Sequence, residues 1–413
     1  MDLDFRFDFQ RVGQGLFYTG AINGFNMVYD CGSDYTKCLR GAVGQYKRTL
    51  HSNLIDMVVL SHLHNDHVNG LDLLLKDVAV EDVFMPYLVP MERLLLAVRR
   101  KNLPDWYYVF LANPVSYLLE RGVKRVTVIG GEKGEKGPPP HEIPPGPSDK
   151  PRGEISIDIP DDKELEAIIR TNDPELAALI GKELLVRNHQ GLVIIPGLWL
   201  FRFFNYKVEE EKLNQFAACL NQAGVSPTHP KSIKSAIKDP PTIKKIRKCY
   251  EREMCKDLND TSLAAYHGPV GDNRSVFCVH CEEGLRFPSC KHFYPSAIPA
   301  KCYYSRFDCM GQLLTGDIGL NNNQKYKEFI THYTHYLDTV SISQLSHHGS
   351  RTSWNEHILR ALGECSHWVS SSGRPSFYGH PHSMVALDIL RDYRCFCWSN
   401  QHNKFFIEGK VIW

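Results

Sequence analysis

The sequence predicts a layered α/β domain, and three observations carry that expectation. Strand-like stretches open the chain, the run Ile55 to Leu60 is apolar enough for a buried strand, and amphipathic helical segments separate later strands. Of 413 residues, 43% are hydrophobic and 23% charged, which is enough apolar material for one large domain, residues 1–413, elaborated by insertions.

Residues 5 to 32 read as paired strands, FRFDFQRV, GLFYTG and FNMVYDCG, broken at Gly-containing turns. The apolar run at 55–60 feeds directly into SHLHNDHVNG, and GLDLLLKD then opens a helix. Residues 131–153 are rich in Pro, Gly and charge, so they neither pack nor continue a helix and are expected as an exposed loop. Residues 161–185 are expected as helix and 192–206 as strand. From Val208, the apolar Leu213, Phe216, Ala217 and Leu220 recur at helical spacing and begin a helical, basic insertion over 208–256. Its Lys231, Lys234, Lys238, Lys244, Lys245, Arg247 and Lys248 read either as a solvated face or as a track for phosphates. No internal repeat is visible.

Charge and cysteine use narrow the function classes. With 48 Lys+Arg against 47 Asp+Glu the net charge is +1, which excludes a surface that grips nucleic acid all over and leaves room for a local patch. No apolar run reaches about 18 residues, and the N-terminus lacks the basic start and apolar stretch of an export signal. A cytoplasmic chain without a membrane partner is the expectation. The 13 Cys are then expected as reduced core thiols or metal ligands in preference to a disulfide framework.

The most informative stretch is His62-Leu63-His64-Asn65-Asp66-His67, directly after the apolar run. Imidazoles and a carboxylate this dense suit Zn2+, and also Mn2+ or iron where carboxylates and water complete the shell. Further along come Gln312-Leu313-Leu314-Thr315-Gly316-Asp317, then Ser346-His347-His348-Gly349-Ser350-Arg351-Thr352-Ser353, and finally Tyr378-Gly379-His380-Pro381-His382.

The H-x-H-x-D-H motif followed by these segments resembles the metallo-β-lactamase superfamily. The HHGS and YGHPH segments, with Asn259-Asp260-Thr261-Ser262-Leu263 where other members carry an isolated histidine, resemble the subgroup that includes the soluble domain of the DNA-uptake protein ComEC. The resemblance implies an αββα sandwich and hydrolysis by water activated between two divalent ions. His62 and His64 would hold one ion, Asp66 and His67 the other, and Asp317 would bridge. Asp30 falls where the family often has an acidic residue behind the ligands. His348 and His380 join the implied ligand set, while Asp66, His347 and His348 are the implied catalytic groups. Which of His347 and His348 binds metal stays open, and the missing motif histidine leaves one ion short of a ligand. Ser350, Thr352, Ser353, Arg374, Tyr378 and His382 are expected near substrate.

The subgroup points first to a nuclease acting on DNA or RNA. A small phosphodiester such as a cyclic nucleotide is the alternative and needs a closed pocket; a subunit regulated by a protein partner through the insertions is the third reading. Tyr107, Tyr108 and Trp199 are expected in core or loop packing, with base stacking as the sharper reading. Residues 270–309 form a Cys/His-rich insertion, where Cys278, Cys281, Cys290 and His292 have the spacing of a structural Zn2+ site, with Cys302 as a substitute ligand. Cys395 and Cys397 alternate on a strand, with one of them expected to point inward.

Overall fold

The structure is a computed structural model that describes residues 2–99, 104–131, 142–143, 155–206, 210–224, 239–253, 262–282, 284–285, 301–307 and 310–413. Its strands begin with β1 (Asp2–Phe9), β2 (Phe17–Ile22) and β3 (Phe25–Cys31). Asn23 and Gly24 both take positive φ between β2 and β3, the backbone that a two-residue hairpin turn requires and an Asn-Gly pair accepts. Next come β4 (Leu54–Val59), β5 (Ala79–Pro86), β6 (Val123–Gly130), β7 (Ser156–Asp158), β8 (Leu184–Asn188), β9 (Leu192–Ile195) and β10 (Trp199–Phe204). The later strands are β11 (Ala264–Pro269), β12 (Arg274–Cys281), β13 (Gly284–Leu285), β14 (Lys301–Phe307), β15 (Gly311–Leu314), β16 (Val340–Gln344), β17 (His367–Ser371), β18 (Cys395–Ser399) and β19 (Phe405–Ile412).

Two sheets result among the described residues. One has the order β14-β12-β19-β1-β2-β3-β4-β5-β6-β8, the other β13-β18-β17-β16-β15-β11-β10-β9-β7. Strands β3 to β6 run parallel in the first, and β15 to β18 run parallel in the second. Between the sheets lies a core to which Phe7, Tyr18, Met27 and Phe84 contribute from one side and Trp199, Phe201, Leu314 and Val369 from the other. Behind the first sheet, Val58 and Val83 pack with helix residues such as Val43 and Leu95. Behind the second, Leu200 and Trp368 pack with Phe329 and Ile389 from helices Asn323–His332 and Ser383–Arg391. This is a helix, sheet, sheet, helix layering, the αββα sandwich. Among the described residues no helix is long and apolar enough to cross a membrane.

Several local expectations change. The 161–185 helix is two short helices, Lys163–Asn172 and Pro174–Ala177, because Asp173 ends one and caps the next ahead of Pro174. The 192–206 strand is a hairpin, β9 to β10, turning near Gly197 at positive φ. Helices Glu210–Gln222 and Pro240–Glu253 lie within 208–256, but Cys219 and Cys249 on their core-facing sides form a disulfide, against the expectation of reduced thiols. Two packed helices bring those Cα atoms to 5.7 Å, a proximity that a separation of 30 residues does not reveal. Lys231, Lys234 and Lys238 lie outside the described residues, as does nearly all of the 131–153 loop.

The Cys/His insertion also differs. Cys278 and Cys281 sit on β12, paired on both sides to β14 and β19, so their offset of three places them on opposite sheet faces. Phe277, Val279 and Cys281 join the inter-sheet core, whereas Val276 is exposed and Cys278 half-buried. One ion cannot be chelated by both. Cys290 and His292 lie outside the described residues, as does the side chain of Cys302. On β18, Cys395 and Cys397 both face the inter-sheet core and Phe396 faces the other way, because residues two apart share a sheet face.

Candidate metal centre

The site forms where parallel strands of both sheets end. The His62–His67 motif follows β4, Asp317 follows β15, His347 and His348 follow β16, and the 373–382 segment follows β17. Loop residues at strand ends project side chains into the crevice while the strands stay in their ladders.

Three groups of possible ligands gather there: Asp30, His62 and His67 form a buried one, and two triads stand at the crevice. His62, His64 and Asp317 form one, and Asp66, His67 and His348 the other, with the ligand atoms of each within 4.8 Å of one another. Asp317 stands between them. Its Oδ2 is 3.6 Å from His62 Nε2 and 3.7 Å from His347 Nε2, while its Oδ1 is 3.4 Å from His67 Nε2 and 3.7 Å from His348 Nε2. His348 Nε2 is also 3.7 Å from Asp66 Oδ2. His347 thus flanks the first triad through Asp317. His380 lies outside both triads, its ring centroid 5.3 Å from that of His347 and 6.2 Å from that of His348.

Ring orientation is built from behind. Asp30 Oδ2 meets His67 Nδ1 at 2.7 Å and Ser61 Oγ at 2.5 Å, and Ser61 Oγ lies 2.9 Å from His62 Nδ1. One buried carboxylate therefore turns the Nε2 atoms of two imidazoles toward Asp317. His348 Nδ1 faces the Ser371 carbonyl at 2.7 Å, and His347 Nδ1 lies 3.2 Å from Ser353 Oγ. His347 and His348 both have positive φ, a rare backbone for non-glycine residues that lets consecutive imidazoles serve the same centre. Ser262 Oγ accepts from the Asp317 amide, and the Leu263 amide donates to the Ser61 carbonyl, so this pair braces both halves of the site. At Gly32, any Cβ would lie 2.4 Å from the Asp66 and His67 backbone; only glycine lets β3 pass so close to the motif.

Electrostatics follow from burial and proximity. Burial alone would raise Asp317, but His347, His67, His348 and His62 hold it well below the carboxylate range. Burial and neighbouring imidazoles push His62 well down, and they bring His380 to about 4. His67 is opposed by burial yet raised well above the imidazole range by Asp317 and Asp30. His62 Nε2 and Asp317 Oδ1 are buried without a hydrogen-bond partner. Buried polar atoms are rarely orphaned, and orphaned donor atoms converging from imidazole and carboxylate fit divalent cations.

The triads open into a pocket of about 590 Å³. Ser350, Thr352, Tyr378 and His382 line it, as do Gln14, Asn65, Leu96 and Tyr107, which the sequence reading did not place there. Arg374 and Ser353 are not among its lining residues. The Arg374 guanidinium lies over the Trp398 ring, 5.7 Å from its centroid, and Ser353 serves His347. His382 also caps helix Ser383–Arg391 by accepting from the Met384 amide. Tyr107 is buried, donating to the Leu63 carbonyl inside the metal motif. Trp199 is inter-sheet core and Tyr108 packs partly buried behind the first sheet, so neither offers a face to a base.

Residues 16–103 match the family model described as Anti-Pycsar protein Apyc1. No curated protein matches the chain. Among solved structures it is similar to the metallo-beta-lactamase fold protein YhfI from Bacillus subtilis, at 9% identity and TM-score 0.36, over 98% of this chain and 100% of that one. It is also similar to a diphosphatase from the PhnP family, at 10% identity and TM-score 0.33, over 99% and 98% of the two chains. A long form RNase Z from yeast aligns at 8% identity and TM-score 0.29, over 83% of this chain and 32% of that one. The two-sheet layering and the cluster of His and Asp at the strand ends are the chain's own features: an αββα sandwich with a candidate metal centre.

Proposed function

We propose that this protein is a metal-dependent phosphodiesterase whose substrate is a small phosphodiester, of which a cyclic nucleotide is the leading case. The observation that carries the reading is a half-open pocket of about 590 Å³ that reaches both triads. That volume suits one small ligand. The match to a model named for an anti-Pycsar protein spans the segment supplying His62, His64, Asp66 and His67, and it favours this reading over a general nuclease.

His62, His64 and Asp317 would hold one divalent cation, Zn2+ or Mn2+, and Asp66, His67, His348 and Asp317 a second; His347 flanks the first. Such a pair supplies Lewis acidity and a water nucleophile at neutral pH. The chain's own groups do the rest. Asp30 and Ser61 keep the His62 and His67 rings turned inward, and Asp317 stays ionised among its imidazoles. Ser350 and Thr352, whose hydroxyls lie 2.9 Å apart on the pocket wall, offer hydrogen bonds to phosphate oxygens. His347, pushed down by burial, is neutral near pH 7 and orients through Ser353.

The second reading is a nuclease of the ComEC-type subgroup. The exposed Lys244, Lys245 and Lys248 on helix Pro240–Glu253 support it as a local basic face in a chain of net charge +1.

Purified protein supplied with Zn2+ or Mn2+ is tested on 3′,5′-cyclic nucleotides, single- and double-stranded DNA, and RNA, beside Asp66→Ala and Asp317→Ala. Cyclic nucleotide cleavage lost in both variants is the expected result. Cleavage of polymers alone transfers the case to the nuclease reading, and activity that both variants retain removes the site from the chemistry.

A further inference from the structure

Among the described residues that line the pocket, Arg351 is the one arginine or lysine. Its side chain is 47% exposed, against 3% for Asp317 at the centre, so the guanidinium lies toward the solvent side of the pocket and the metal ligands toward its floor. The residue opens a short turn, Arg351–Ser353, soon after His348, and the Ser350 amide ties that turn back by donating to the His347 carbonyl at 2.9 Å. Ser350 and Thr352, its neighbours in the chain, line the same pocket.

The guanidinium is aimed from behind. Arg351 Nη1 donates to Asp388 Oδ2 at 3.2 Å, and Trp354 Nε1 donates to the same oxygen at 3.0 Å. The Trp354 ring meets that of the buried Trp368 edge to face at 5.7 Å, so Asp388 is anchored to the core behind the second sheet. Exposed ion pairs add little stability; this one fixes a direction. A guanidinium carries five N–H donors in a planar fork that fits phosphate, and the contact with Asp388 runs through Nη1, which leaves donors for a ligand. Two divalent ions at the triads would already offset the charge of the ester being cleaved. An oriented cation on the solvent side of that centre matches a second negative group on the same substrate.

We propose that Arg351 is a specificity-determining residue that binds a second phosphate of the substrate, so that small diesters carrying an additional phosphate are preferred to those with one. The inference rests on the phosphodiesterase reading above. Within the cyclic nucleotides it favours molecules with two phosphates over 3′,5′-cyclic mononucleotides.

The test compares kcat/KM, with Zn2+ or Mn2+ supplied, for thymidine 5′-(4-nitrophenyl phosphate) and for the same diester bearing a 3′-phosphate. Wild-type protein is expected to prefer the second, mainly through KM, and Arg351→Ala to reduce that preference roughly 10- to 100-fold. Arg351→Lys keeps the charge and loses the planar fork, so its preference should fall between those two. In the wild type the preference should also shrink as salt rises from about 0.1 to about 1 M, because the screening length contracts from about 10 to about 3 Å. That readout needs no variant to fold. Equal kcat/KM for the two diesters in the wild type, a preference that Arg351→Ala leaves intact, or one indifferent to salt overturns the anchor and leaves the phosphodiesterase reading standing. Cleavage of neither diester overturns that reading and the anchor with it.

Discussion

Asp30 Oδ2 lies 2.7 Å from Nδ1 of His67, and both side chains are fully buried. A carboxylate behind an imidazole selects its tautomer and raises its basicity at the opposite nitrogen, here the one turned toward Asp317. Asp30→Asn keeps the shape and removes the charge. Metal affinity is expected to fall about 10- to 100-fold, read by competition with a chromogenic chelator. Affinity equal to the wild type would show that His67 does not need this partner.

Ser353 tests the corresponding support of His347. Its Oγ lies 3.2 Å from His347 Nδ1, and it does not line the pocket. Ser353→Ala should lower kcat/KM about 10-fold and change its pH profile, without altering the melting temperature. A pure stability loss would instead assign Ser353 to packing.

Gly32 is a steric prediction. A methyl group there meets the Asp66 and His67 backbone at 2.4 Å, and backbone cannot yield as a flexible side chain can. Gly32→Ala is expected to cost about 2 kcal/mol or more and to weaken metal binding together with stability. Tight metal binding in a stable variant would contradict the packing described.

Glu92 gives a pH dependence away from the centre. Burial raises its carboxyl from 4.5 to about 7, although the Val89 amide donates to it at 2.8 Å. Between those values the folded state keeps a proton that the unfolded chain releases, so stability falls as pH rises through that window. Glu92→Gln should gain about 2 kcal/mol relative to wild type above pH 7 and flatten that slope in thermal melts. Parallel melting profiles across pH 4 to 8 would reject Glu92 as the source.

The Cys219–Cys249 bond ties helix Glu210–Gln222 to helix Pro240–Glu253, closing a loop with a sequence separation of 30. Its removal is expected to cost about 3 kcal/mol. Reductant should therefore speed amide exchange in Pro240–Glu253 by roughly 100-fold. Cys219→Ser should exchange fast with or without reductant. Exchange indifferent to reductant in the wild type would mean that the bond does not hold these helices.

Much of the site was legible because metal chemistry is local and compositional. The His62–His67 motif and Asp317 announce themselves by residue type and spacing. The partners that aim the rings were harder to see. Ser61 and the Ser371 carbonyl carry no chemical signature, and their roles exist only where β3, β4 and β17 end together. Failures had the same origin. The C-x2-C pair at Cys278 and Cys281 looks like a zinc motif until strand pairing sends its members to opposite faces. Cys219 and Cys249 carry no mark of the helix packing that joins them.

The sequence by itself determined the layered α/β class, the donor atoms of the centre and the neutral overall charge, because periodicity and ligand type are properties of short segments. Tertiary structure decided the rest. It set Asp317 between two triads, put His347 beside the first and His348 in the second, and moved Arg374 out of the pocket. Those outcomes depend on which strand ends meet, a relation among segments hundreds of residues apart that no local spacing encodes.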